Sequence, residues 1–171
     1  MKYLFTLILF NMLIQDNFLT YNNSKENYSV SYENIWEKKI TNSNTIFFLK
    51  ENKSEFKTNI NLLTQDLSKQ PLSLNEYHQI TLGQIENNIG ISSIISKKDT
   101  KVSNFNAKEL IYVVPASVQN RYELKIKQVY FIEKNKAFLI TYVSSVNDFN
   151  LYLKSANIFF KEFKITDNLE D

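Results

Sequence analysis

The chain has 171 residues, 43% hydrophobic and 22% charged, and its 20 Lys and Arg against 18 Asp and Glu leave a net charge of +2. That fits one folded domain and excludes a disordered chain. Cysteine is absent and His78 is the only histidine, which excludes disulfides, thiolate metal sites, cysteine nucleophiles and multi-histidine centres.

Met1-Lys2 is followed by about twelve mostly apolar residues, Tyr3 to Ile14. That is the size of a signal-peptide core and short of the ~20 residues a membrane span needs. From Gln15 the chain turns polar, so residues 1–24 read as a signal-like segment with a spacer, and residues 25–171 as the domain. An uncleaved anchor through residues 3–14, resting against a membrane surface, and a buried first element are the alternatives.

Tyr28 to Tyr32 alternates as a strand does, with Trp36 close behind. Thr45-Ile-Phe-Phe-Leu49 and Thr58 to Thr64 are of strand length and β-rich. The period then changes. Ser73-Leu-Asn-Glu76 is a capping box, Leu72 and Tyr77 stand at hydrophobic-staple spacing, and Gly90 supplies a left-handed stop, which predicts a helix between them. Ile91 to Val102 and Glu109 to Val114 are predicted strands. Arg121 to Lys127 alternates strictly, placing Tyr122, Leu124 and Ile126 on a core face and Arg121, Glu123, Lys125 and Lys127 on a wet one. Glu133 to Lys136 is a hairpin turn into Ala137–Val143, which is apolar on both faces and therefore central. Asn147 is the expected cap of a last helix, with Phe149, Tyr152, Leu153, Ala156, Phe159, Phe160 and Phe163 on one stripe. The expected fold is α+β, an antiparallel sheet flanked by helices in an α/β/α sandwich.

Catalytic signals are sparse. With only Gly83 and Gly90 there is no phosphate-cradling loop, and no nucleophile-elbow or zinc-helix motif occurs. His78 reads as a helix-surface residue. Glu109 with Glu123 would make a glycosidase-like pair only if the two faced each other across a cleft. Ser92-Ser93 and Ser144-Ser145 have no base near them in sequence. Lysine outnumbers arginine 19 to 1 and interleaves with acids, so no basic stripe suits a nucleic acid.

Four stretches, taken in order, resemble the PsbP/DcrB superfamily, which includes the Mog-type Ran-binding factor. They are Tyr28 to Trp36, Thr58 to Leu67, Ser73 to Tyr77, and Lys127-Gln-Val129 through Ala137–Tyr142 to Phe149. Asn34 stands where the family usually has Pro, and Asn106 where a turn Gly is usual, so the hairpin there is expected to differ. The resemblance implies an α/β/α sandwich and a non-catalytic role, with no cofactor and no catalytic or metal residues to carry over. Trp36, Asn59, Tyr77, Gln128, Thr141, Tyr142 and Phe149 match as fold-bearing positions. The expectation is an exported, periplasmic or secreted protein that binds a protein partner at the cell envelope. A cytosolic chaperone or adaptor holding apolar client segments on its sheet is the alternative, and a small hydrolase using Glu109, Glu123 or His78 a second one.

Overall fold

A computed structural model describes residues 17–41, 44–52, 54–90, 93–117 and 121–166. The apolar stretch 3–14, expected as a signal segment or anchor, lies outside the described residues.

Seven strands form one antiparallel sheet in the order β3–β4–β5–β9–β8–β7–β6. These are β3 (Trp36–Ile40), β4 (Asn44–Leu49), β5 (Asn59–Asp66), β6 (Ile94–Val102), β7 (Phe105–Val114), β8 (Leu124–Glu133) and β9 (Lys136–Ser145). β9 is the middle strand of the seven, as its two apolar faces require. The β8–β9 hairpin turns on Lys134 and Asn135, both left-handed at φ 48° and 57°, the geometry of a two-residue type I′ turn. A second sheet, in the order β1–β2–β10, combines β1 (Phe18–Asn23), β2 (Tyr28–Glu33) and β10 (Phe163–Ile165).

The large sheet separates two apolar clusters. On one face α1 (Leu74–Asn88) buries Tyr77, Leu82 and Ile85 against Leu110, Tyr112, Tyr130 and Ala137. On the other, α2 (Phe149–Lys161) buries Phe149, Ala156, Phe159 and Phe160 against Phe47, Ile60, Val129, Phe131, Ile140 and Tyr142. The small sheet joins this second layer through Tyr28, Val30 and Tyr32. The α+β sandwich expected from the sequence is therefore the observed one.

Local signals explain the helix ends. The Ser73 hydroxyl accepts the Glu76 amide proton at 3.2 Å, and the Glu76 carboxylate accepts from the Ser73 amide at 2.8 Å. Those hydrogen bonds hold the Glu76 carboxyl below its usual range. Gly90, at φ 103°, follows the cap residue Ile89 and takes the left-handed conformation that stops α1.

Several boundaries differ from expectation. Residues 18–23, expected within a polar spacer, form β1, pair along the whole of β2 and place Tyr21 in the core. β7 starts at Phe105, and its hairpin turns at Ser103-Asn104, with Ser103 left-handed at φ 50°. β8 begins at Leu124 and runs through Glu133, so the regular alternation of Arg121 to Glu123 precedes the strand. The supposed wet face of β8 is covered, because α2 packs over it: Lys125 lies over the Phe149 ring and Lys127 over the Phe160 ring. The N-cap position of α2 is Asp148 and not Asn147, and the Asp148 carboxylate accepts from Ser145 instead of from the first-turn amides. It also ends at Lys161, so Phe163 reaches the same core from β10. A helical stripe and a strand that follows it directly share spacing at their junction, which hides the boundary.

Candidate functional site

The three residues considered for hydrolysis do not converge. His78 is buried on α1, with its Nδ1 against the Tyr130 hydroxyl, on the α1 side of the large sheet. Burial pushes its pKa down, aided by the Lys108 ammonium, and pushes the Tyr130 phenol up. The imidazole and the phenol share a buried hydrogen bond, so His78 is a satisfied core histidine and not the surface residue expected. The buried face of α1 carries Tyr77, His78, Leu82 and Ile85, which places His78 inward.

Glu109 lies on the opposite side. Its carboxylate receives Lys98 at 3.1 Å and Lys127 at 3.1 Å, and its side chain is 7% exposed. Lys127 also donates to Asn157 of α2 at 2.9 Å. Glu109 is level with Val129 in the β7–β8 ladder, whereas Glu123 precedes β8 by one residue. Six residues of strand separate the two levels, about 20 Å. A carboxylate pair for glycoside hydrolysis needs roughly 5–9.5 Å. Among the described residues no group of three or more His, Asp or Glu is placed to hold a metal ion.

The fold-bearing positions fall into three groups. Trp36, 1% exposed, donates its indole N–H to Ser155 at 2.8 Å and meets Phe159 edge-on. Tyr142 donates to the Phe149 carbonyl at 2.9 Å, and burial raises its phenol pKa. These residues lock α2 to the sheet at its first residue, Phe149, and at its middle, Ser155. Tyr77 locks α1, with its hydroxyl donating to Gln65 at 3.0 Å and its ring edge-on to Tyr130.

The third group opens to the outside. Asn59, Gln128 and Thr141 share the α1 side of the sheet, where Gln128 faces Thr141 across β8–β9 and Asn61 faces Thr141 across β5–β9. Asn61 donates to the Asn59 carbonyl oxygen at 2.8 Å, and Gln128 to the Thr141 hydroxyl at 3.4 Å. Seven strands at about 4.8 Å spacing span roughly 30 Å, while one helix is about 10–12 Å wide. α1 takes the β7–β8 side, the start of β9 and, through Tyr77 and Gln65, the end of β5, which leaves β4, the first half of β5 and the second half of β9 without a helix among the described residues. Ile46 and Phe48 of β4 and Val143 of β9 stand in register beside the amides, all half-buried. Lys57 lies over the Phe48 ring at 4.9 Å. The result is an open face on which apolar side chains alternate with amides and a hydroxyl, chemistry suited to contact with another protein. Alternation within β5 signals one polar face, but only the register across β4, β5, β9 and β8 reveals that the polar positions coalesce.

The chain has the PsbP- and Mog-type fold, as its superposition on solved structures shows. The solution structure of cyanobacterial PsbP from Synechocystis superposes with a TM-score of 0.62 at 9% identity, over 87% of this chain and 92% of that one. LpqN of Mycobacterium tuberculosis, described as involved in cell envelope biogenesis, gives 0.60 at 10% identity over 88% and 91%. The Ran-binding protein Mog1p of Saccharomyces cerevisiae gives 0.55 at 6% identity over 88% and 96%. No protein-family model matches the chain, and no curated protein matches it in sequence. Among the described residues no helix is long and apolar enough to cross a membrane.

Proposed function

We propose that this is an exported, non-enzymatic protein that holds a protein partner at the cell envelope on the open face of β4, β5 and β9. The observation that carries the reading is the row Ile46, Asn61, Thr141 and Gln128, in register across four strands and left uncovered by α1. Two neighbours in fold support it: one is described as involved in envelope biogenesis and one by its binding of Ran. Export rests on Lys2 and the apolar stretch 3–14, and any cleavage falls ahead of Phe18, since β1 belongs to the packed domain. A surface mixing apolar and amide groups gives both contact area and hydrogen-bond specificity, and neither requires a reacting group.

The experiment is fractionation of the native cells with N-terminal sequencing, followed by a pull-down from solubilised envelope with wild type and Asn61→Arg. The expected outcome is an extracytoplasmic protein beginning at or before Phe18 that retains one partner, lost in the variant. A cytosolic product beginning at Met1 overturns export and favours the chaperone reading, for which Ile46, Phe48 and Val143 would hold an apolar client segment.

A further inference from the structure

The two sheets have four edge strands, and three carry a device against pairing with another chain. β3 bears Glu37, Lys38 and Lys39 in succession. β6 bears Lys97, Lys98, Asp99 and Lys101, and its register breaks between Ile94 and Ser96. β10 is three residues long and carries Lys164. Charges, bulges and shortness are how free edges are protected. β1 has none of these. Its six residues, Phe-Leu-Thr-Tyr-Asn-Asn, are uncharged, in unbroken register with β2, and expose Phe18 by 51% and Leu19 by 41%. No described strand lies along its outer edge.

The hydrogen-bond phase of β1 identifies what fits there. The Asn34 amide donates to the Asn17 carbonyl at 2.7 Å, and the register runs Phe18 to Glu33. In an antiparallel ladder the bonded positions alternate. Leu19, Tyr21 and Asn23 therefore bond to β2, while the N–H and C=O of Phe18, Thr20 and Asn22 point outward. These three positions are symmetric about Thr20.

We propose that β1 pairs antiparallel with β1 of a second copy of this chain, on a two-fold axis through Thr20. Thr20 then exchanges two hydrogen bonds with Thr20 of the second copy, and Phe18 exchanges two with Asn22 on each side of the axis. All three outward N–H groups and all three outward carbonyls of each strand are satisfied. The axis keeps the two faces of the sheet in register, so Leu19 lies opposite Tyr21 of the second copy on the core side, an aliphatic–aromatic cross-strand pair. Centring on Tyr21 instead would bond only Thr20 to Asn22 and leave Phe18 outward. An uncharged strand places no like charges across the seam, and the result is a continuous sheet of six strands with a closed, isologous interface. The pairing stands independently of export and of the open face.

The test uses the full chain. Thr20→Pro removes an N–H that β2 does not use, on an edge where proline is tolerated, and Thr20→Lys sets two ammonium groups across the axis. Light scattering of wild type is expected to give twice the chain mass of 20.2 kDa, and both variants 20.2 kDa. Because the chain lacks cysteine, Thr20→Cys gives a single thiol, and bonded antiparallel partners about 5.5 Å apart are within disulfide reach. Oxidation should cross-link Thr20→Cys and leave an Ile80→Cys control monomeric. A monomeric wild type, a dimer that survives Thr20→Pro and Thr20→Lys, or equal cross-linking from both cysteines overturns the proposal; survival would place association elsewhere, residues 3–14 included.

Discussion

Glu109 offers a direct measure of how this fold tolerates charge inside it. Its carboxylate, 7% exposed, stands between Lys127, 13% exposed, and Lys98, 58% exposed. Removing one partner of a fully buried pair costs about 3–5 kcal/mol, mostly because the other charge is left uncompensated. In Glu109→Leu, Lys98 can turn to water, so only Lys127 is stranded, and it keeps Asn157 and the Phe160 ring. The cost should therefore fall to about 2–3 kcal/mol. Replacing both members, Glu109→Leu with Lys127→Met, removes the stranded charge and should return to within about 1 kcal/mol of wild type. Urea unfolding of wild type, both single variants and the double variant gives the coupling directly, provided the slope with denaturant is unchanged. A double variant as unstable as the sum of the singles, or a Glu109→Leu that melts like wild type, refutes the claim that these groups form one buried ionic unit.

Other expected outcomes follow from the same contacts. Trp36→Ala should cost about 3–5 kcal/mol, as large-to-small changes in packed cores do, and Phe160→Ala should fall at or just below that range. Ser155→Ala leaves the buried indole N–H of Trp36 without its acceptor and should cost about 1–3 kcal/mol by denaturant melting. His78 has a depressed pKa in the folded state, so below pH 6.5 the unfolded chain binds protons that the native state resists, and stability declines as pH falls through that region. Lys108, Lys97 and Asp99 are the charged groups facing it. His78→Gln should flatten this decline in unfolding curves taken from pH 7 to 5, and an unchanged slope would count against the buried imidazole. Deleting residues 1–24 strips β1 and the Tyr21 ring that packs on Phe47, and should lower the melting midpoint relative to deleting residues 1–16.

How far each element could be read from sequence depended on whether its cause was local. The capping box at Ser73 and Glu76, the Gly90 stop, the Lys134-Asn135 turn and the α2 stripe from Phe149 to Phe160 are set by neighbours in the chain and stand where spacing placed them, whereas Phe163 belongs to β10. β1 was hidden because Asn22, Asn23 and Ser24 lower the local hydropathy, and its stability comes from pairing with β2 and from Tyr21 reaching Thr45 and Phe47. The cover over Lys125 and Lys127 is equally non-local: their ammonium groups lie over the Phe149 and Phe160 rings of α2, and that of Lys127 also pairs with Glu109. His78 was misplaced because its partner, Tyr130, lies 52 residues away on another strand. The open face is the least legible feature, since it exists only through the strand order that brings Asn59, Thr141 and Gln128 together.

Site-specific photocross-linking in the native cells tests partner binding on that face most directly. A benzophenone side chain at position 61, central in the open row, should capture one discrete envelope protein, and the same group at position 80, on the exposed side of α1, should capture none. Capture from position 80 alone, or an identical ladder of products from both positions, would contradict the assignment of that surface to a partner.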